Sequence, residues 1–154
     1  MGAFTHVSRD RPSRFSDGRF GVWYCGDRLE VALAETAFHF QRFMRATAEP
    51  AGDADFRLLT CTVAGEMKEA PDSCLDPQDW SQGQAFGQAM RAAGSDGIVW
   101  RSVRARAGQA AALFWPDCLT LPINQTQQFR YRWDGTCMTH FLPHDATAWS
   151  AWEG

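Results

Sequence analysis

A chain of 154 residues, 45% hydrophobic, 13% aromatic and 21% charged, is long enough to bury a core without disulfide or metal support and too apolar for intrinsic disorder. Its formal charge of −3 provides no global field toward phosphate backbones, which excludes nucleic-acid binding driven by bulk charge while leaving local basic pockets open. The five cysteines, at positions 25, 61, 74, 118 and 137, form no C-x-x-C pair; neither a disulfide framework nor a zinc knuckle is indicated, and they read as reduced thiols of a cytoplasmic protein.

The first fifteen residues contain no apolar stretch of the export-signal kind. Position 6 is His where a myristoylation signal needs Ser or Thr, and no segment approaches the ~20 apolar residues of a membrane span. No membrane partner is expected.

Residues 13–35, SRFSDGRFGVWYCGDRLEVALAE, crowd three arginines, a tyrosine and several acids around a short apolar run. That run, residues 20–25, is aromatic and β-branched and is bounded by Gly18 and Gly26, so it predicts a buried strand. Asp27 with Glu30 three residues later has the spacing of a capping box, and good helix formers continue to Glu49-Pro50 and Gly52. Apolar residues nearly encircle this helix, which predicts burial on most of its sides.

DFRLLTCTVAGEM reads as a second strand, followed by a loop that carries two prolines. SQGQAFGQAMRAAGSDG follows, with an apolar stripe at Ala85, Phe86, Ala89, Met90 and Ala93 and with Gly94 placed to end a second amphipathic helix. GIVW, AAALFW and CLTLP come in quick succession, and QQFRYRWDGTCMTHF reads as a hairpin turning at Asp134-Gly135. With no repeat, low-complexity tract or long linker, the elements predict a single α+β domain over residues 1–154, built on a mixed sheet with a few helices.

The signatures of several enzyme classes are absent: G-x-S-x-G, H-E-x-x-H, the P-loop and G-x-G-x-x-G. His140 and His144 stand four apart, but Pro143 and β-rich neighbours argue against the helix that would make the spacing a metal site. Cys25 has no base beside it in the sequence and reads as a small core residue. Glu35 shares a helix face with Val31, Phe38 and His39, where a carboxylate must be paired, protonated or used; Arg14 and Arg42 are its candidate structural partners. Arg14 and Arg19 flank the turn FSDG, a placement that suits either a phosphate or carboxylate ligand or a solvated charged loop. GSDGIVWRSVRARAG is a second polar concentration, with Ser102 and Arg104 just beyond a buried strand.

Three blocks taken together resemble the RES-domain family, whose members are toxins of bacterial toxin–antitoxin pairs. The first is Arg14-Phe15, a turn at Gly18 and the apolar run FGVWY ending at Tyr24. The second is ALAE, ending at Glu35. The third is GSDGIVWRSVR with Ser102, followed by ALFWP ending at Pro116. Many members carry a further arginine near the N-terminus, where this chain offers His6 or Arg9.

The resemblance implies a fold similar to the ADP-ribosyltransferases and the consumption of NAD+ as substrate, by cleavage of the bond between nicotinamide and ribose. The acceptor would be water, phosphate or a protein. Departure of nicotinamide leaves an oxocarbenium-like ribose, whose charge a carboxylate stabilises, and the resemblance gives that role to Glu35. It gives Arg14 the pyrophosphate, Tyr24 the nicotinamide ring or its ribose, and Ser102 the ribose or a phosphate, with Arg104 as a second phosphate contact. It requires no metal, and it implies a cognate Xre-like antitoxin as partner. The alternative is a non-catalytic binding module in which Arg14 and Glu35 form a structural ion pair. Trp149 and Trp152, in the C-terminal tail, are either a partner surface or residues packed back on the sheet.

Overall fold

In a computed structural model describing residues 2–153, the chain is α+β, and its described strands divide into two four-stranded sheets. The elements in order are α1 (Gly2–Thr5), β1 (Trp23–Gly26), α2 (Leu29–Ala46), β2 (Gly52–Val63), β3 (Met67–Glu69), α3 (Ser81–Ala92), β4 (Gly97–Arg101), β5 (Gln109–Leu113), β6 (Leu119–Trp133), β7 (Met138–Pro143) and β8 (Ser150–Ala151). Two compact units hold them, residues 2–32 with 63–120, and residues 33–62 with 121–153. No described helix is long and apolar enough to cross a membrane.

The first unit carries the sheet β1-β5-β4-β3, in which β5 is antiparallel to both β1 and β4, and β3 is parallel to β4. Small residues on β5, Ala110 and Ala112, leave room for a core of Phe15, Val31, Ile98, Trp100 and Phe114. The strand expected over residues 20–25 begins only at Trp23. The last residue of its partner β5, Leu113, lies opposite Trp23. Gly21 lies against the backbone of Ala3 and Phe4, too close for a β-carbon.

The capping box is also corrected. Asp27 turns its carboxylate to β5, where Oδ1 accepts the amide of Gln109 at 3.0 Å, and its own amide donates to the Gln109 carbonyl at 3.0 Å. The Gln109 amide is the main reason the Asp27 carboxyl is held below its ordinary pKa. Helix α2 ends as expected near Glu49: the amides of Ala48 and Glu49 return to the carbonyls of Arg45 and Met44, with Ala48 at φ 52°. It is not buried all round, since Phe43 is 57% exposed.

α3 ends by the same device, with Gly94 at φ 80° and the amides of Gly94 and Ser95 returning to Arg91 and Met90. Its expected apolar stripe is only partly the packed face. Phe86 and Met90 reach the core, but Ala85, Ala89 and Ala93 are exposed, and the two fully buried positions are Gly83 and Gly87.

The second unit carries the sheet β2-β6-β7-β8, with β7 antiparallel to β6 and to β8. Its core is aromatic. The ring of Phe40, from α2, meets those of Phe56, Tyr131 and Trp133 edge-on at 5.5–6.1 Å, and Phe56 stacks on Tyr131 at 4.5 Å. The hairpin turns where Asp134-Gly135 predicts. Asp134 accepts the amides of Thr136 and Cys137, and Gly135 has φ 100°.

The tail packs back on the sheet, as one of the two readings of Trp149 and Trp152 expects. β8 pairs with β7, Trp152 meets Phe141 edge-on at 6.1 Å, and the Arg132 guanidinium lies 3.9 Å over the Trp149 ring. His140 lies on β7 and His144 just beyond it, off any helix. His144 Nε2 is 3.7 Å from the carboxylate of Asp55, which Arg130 holds at 2.7 Å.

Candidate functional site

The segment around Arg14 is a tight turn locked from several sides. Ser13 and Ser16 exchange backbone hydrogen bonds, so Arg14 and Phe15 occupy the bend, 4% and 0% exposed. The hydroxyl of Ser16 donates to the carbonyl of Phe20 at 2.6 Å and accepts the amide of Gly18, whose φ of 85° suits glycine there. Behind the bend, Gly83 and Gly87 of α3 lie against the carbonyls of Arg14 and Phe15, closer than any β-carbon would allow. One turn farther along α3, the Arg91 guanidinium stacks 4.2 Å from Trp115 and 4.9 Å from Phe20.

The guanidinium of Arg14 is anchored by Nη1, which donates to the carbonyls of Cys74 and Asp76 at 3.1 and 2.8 Å. These two carbonyls fix its orientation. The charge of Arg14 also acts on the exposed Asp76 carboxylate. It is held below its ordinary pKa by the amides of Asp79 and Gln78, and in smaller measure by the charge of Arg14. Arg19 belongs to the surface, in an exposed pair with Asp17 at 3.0 Å.

Tyr24 is joined to the same turn. Its hydroxyl accepts the amide of Phe15 at 3.0 Å and donates to the hydroxyl of Ser13 at 2.9 Å, while the residue remains 40% exposed. The phenol therefore braces the Arg14 turn and still leaves ring surface for a planar ligand. Its ring meets Trp100 edge-on at 6.3 Å, and Trp100 lies 4.9 Å from Phe15.

Ser102 follows β4, 8% exposed. Its hydroxyl accepts the amides of Arg104 and Ala105 at 3.3 and 3.0 Å, and its own amide donates to the carbonyl of Gly108. Strand register sets Tyr24 opposite Ala112 and Ala112 opposite Ile98, so two-residue alternation places Tyr24, Trp100 and Ser102 on one face of the sheet. Ser102 thus shapes the loop that carries the half-buried Arg104. At the end of that loop, Gly108, at φ 105°, packs against Asp27, Arg28 and Val31.

Glu35 lies on α2 within the second unit, half-buried, with its Oε1 removed from solvent. The structure therefore brings Arg14 and Tyr24 together directly, and places Ser102 and Arg104 in the same unit. What the sequence reading missed is the brace: Ser13, Trp100 and the two glycines of α3. The signal was present in G-Q-A-F-G, glycines four apart on one helix face.

A cleft of about 350 Å3 lies elsewhere, lined by Gln125, Thr126, Gln127, Gln128, His144 and Asp145. None of the expected site residues lines it. The buried arginine and the braced tyrosine carry more chemical weight than this amide-walled groove, because they combine a cation, an exposed aromatic ring and a rigid support.

The family model described as RES domain matches residues 1–134 of the 154. No curated protein matches the chain.

Proposed function

The chain belongs to the RES-domain family, known in toxin–antitoxin systems, and from that membership we propose that it is a toxin that consumes NAD+ by breaking the nicotinamide–ribose bond. The observation that carries the reading is the extent of the family match, which includes Arg14, Tyr24, Glu35, Ser102 and Arg104. The bracing of Arg14 and Tyr24 on one turn supports it.

On this reading Arg14 holds the pyrophosphate, with Arg104 as a second cation, and the exposed ring of Tyr24 lies against nicotinamide or its ribose. Ser102, whose oxygen already accepts two amides, donates its proton to the ribose or a phosphate. Glu35 stabilises the cationic ribose as nicotinamide leaves. The partner that restrains such a toxin is a cognate antitoxin.

Incubation of the protein with NAD+ tests the proposal: nicotinamide is released in proportion to enzyme. NAD+ labelled in its ADP-ribose half separates the acceptors, since label on a protein band means transfer and label in small products, compared with and without phosphate, means hydrolysis or phosphorolysis. A protein that releases no nicotinamide and whose melting temperature NAD+ does not raise is instead a binding module, because a ligand at 100 Kd adds ~2.7 kcal/mol.

A further inference from the structure

Within the second unit, helix α2 is held by one face and carries its charges on another. Leu33, Ala37, Phe40 and Met44 recur at helical spacing and pack into the aromatic core. Beside that face, Gln41 Oε1 accepts the amide of Met138 at 3.1 Å, and Arg45 Nε donates to the carbonyl of Thr136 at 2.9 Å. Core and hairpin together fix the rotation of the helix about its axis.

At roughly 100° per residue, Glu35 and Arg42 fall within about 20° of one another, on the side of α2 away from that core. Seven residues set them roughly 10 Å apart along the axis, beyond the spacings of three and four at which helical ion pairs close. Between them stand Phe38 and His39, whose rings meet edge-on at 5.3 Å. Glu35 is half-buried with Oε1 removed from solvent, whereas His39 and Arg42 are exposed. The stripe runs from a sheltered carboxylate, past two rings, to an accessible guanidinium.

That order of groups matches the order in the substrate of the proposed reaction, on which this inference rests. In NAD+ the carbon that loses nicotinamide and the pyrophosphate stand on opposite sides of one ribose, so a carboxylate facing that carbon requires a cation about one sugar away. We infer that Arg42 is a specificity-determining residue of the nicotinamide-cleaving site: it holds the pyrophosphate while the ribose lies over Phe38 and His39 and the reacting carbon meets Glu35. A guanidinium gives a phosphate paired, charge-assisted hydrogen bonds, so the stripe favours ligands that carry the pyrophosphate. Because Arg42 grips a part of the substrate that does not react, its contribution falls on binding and not on bond cleavage.

Steady-state nicotinamide release by Arg42→Met tests this. KM for NAD+ is expected to rise about tenfold, as for the loss of a hydrogen bond to a charged group, while kcat and the melting temperature of the unliganded chain stay near wild type. Arg42→Lys recovers part of the loss. ADP-ribose, which carries the pyrophosphate and no nicotinamide, raises the melting temperature of wild type more than that of Arg42→Met. Arg57→Met removes another exposed arginine of the same unit, on β2, and leaves KM unchanged. An Arg42→Met protein with wild-type KM and wild-type stabilisation by ADP-ribose overturns the role of Arg42 and leaves the proposed reaction standing. An equal rise in KM for Arg57→Met overturns it as well, since bulk charge then accounts for both. A wild-type chain that neither releases nicotinamide nor is stabilised by ADP-ribose fails at the reaction itself, and the role of Arg42 falls with it.

Discussion

The backbone of Gly87 on α3 lies against the carbonyl oxygen of Phe15, with no space between them for a β-carbon. That contact presses the helix onto the bend that holds Arg14. Helix propensity alone favours Gly87→Ala by about 0.5–1 kcal/mol, whereas the added methyl meets backbone, which cannot rotate away, and overpacking of this kind costs about 1–3 kcal/mol. The net expectation is a loss of stability, read by thermal melting at roughly 2–4 °C per kcal/mol for a chain of this size. Gly87→Ala should also weaken NAD+ consumption, since it displaces the Arg14 turn. A Gly87→Ala protein as stable as wild type would show that the helix backs away freely and does not position the turn.

How much of this was readable in advance depends on sequence separation. α2, α3 and the hairpin at Asp134-Gly135 were legible because their signals are local: helical periodicity, a glycine at the helix end, a two-residue turn signature. The division of the strands into two sheets was not, because short apolar runs such as GIVW and AAALFW do not state their partners. Asp27 has the spacing of a helix cap, yet it is taken by Gln109, 82 residues away. Arg14 and Arg19 were equal candidates on either side of FSDG, and the family resemblance was what singled out Arg14. Its anchors, the carbonyls of Cys74 and Asp76, are 60 and 62 residues distant and, being backbone atoms, leave no mark in the sequence.

Ala48 sits at φ 52°, where the chain leaves α2 and the amides of Ala48 and Glu49 close back on the helix. Left-handed backbone is strained for a residue with a β-carbon by about 1–2 kcal/mol, and glycine relieves the strain while costing more entropy on folding. Ala48→Gly is therefore expected to stabilise the protein by about 0.5–1 kcal/mol. Thermal or urea unfolding measures it, and a lower midpoint contradicts the strain argument.

Asp134 gives a prediction with a defined pH direction. Its carboxylate accepts hydrogen bonds from the amides of Cys137 and Thr136 and from the Thr136 hydroxyl, which together hold its pKa below the ordinary 3.8. A group depressed in the folded state stabilises fully above its unfolded value, and that contribution fades as pH falls below it. Asp134→Asn should lower the melting temperature at pH 7, and the difference from wild type should shrink as the solution is taken below about pH 4. A difference that is the same at both pH values means that the side-chain shape matters and its charge does not.

Arg14 and Glu35 are expected to fail in different ways when changed, and the contrast tests the proposed roles. Arg14→Lys keeps a positive charge but gives up the planar guanidinium whose Nη1 donates to both the Cys74 and Asp76 carbonyls, so both the support of the turn and the grip on a pyrophosphate weaken. Loss of a hydrogen bond to a charged group is worth about 1.5–3 kcal/mol, so the melting temperature should fall and KM for NAD+ should rise by roughly tenfold or more. Glu35→Gln keeps the size of the side chain and removes the charge that would oppose the cationic ribose. Its effect should therefore appear in kcat, a loss of about 10²–10³-fold as for other lost electrostatic stabilisers, with KM and melting temperature close to wild type. If Glu35→Gln releases nicotinamide at the wild-type rate, the carboxylate has another role. If it unfolds the protein while NAD+ leaves the melting of wild type unchanged, Glu35 is a structural residue and the chain is a binding module.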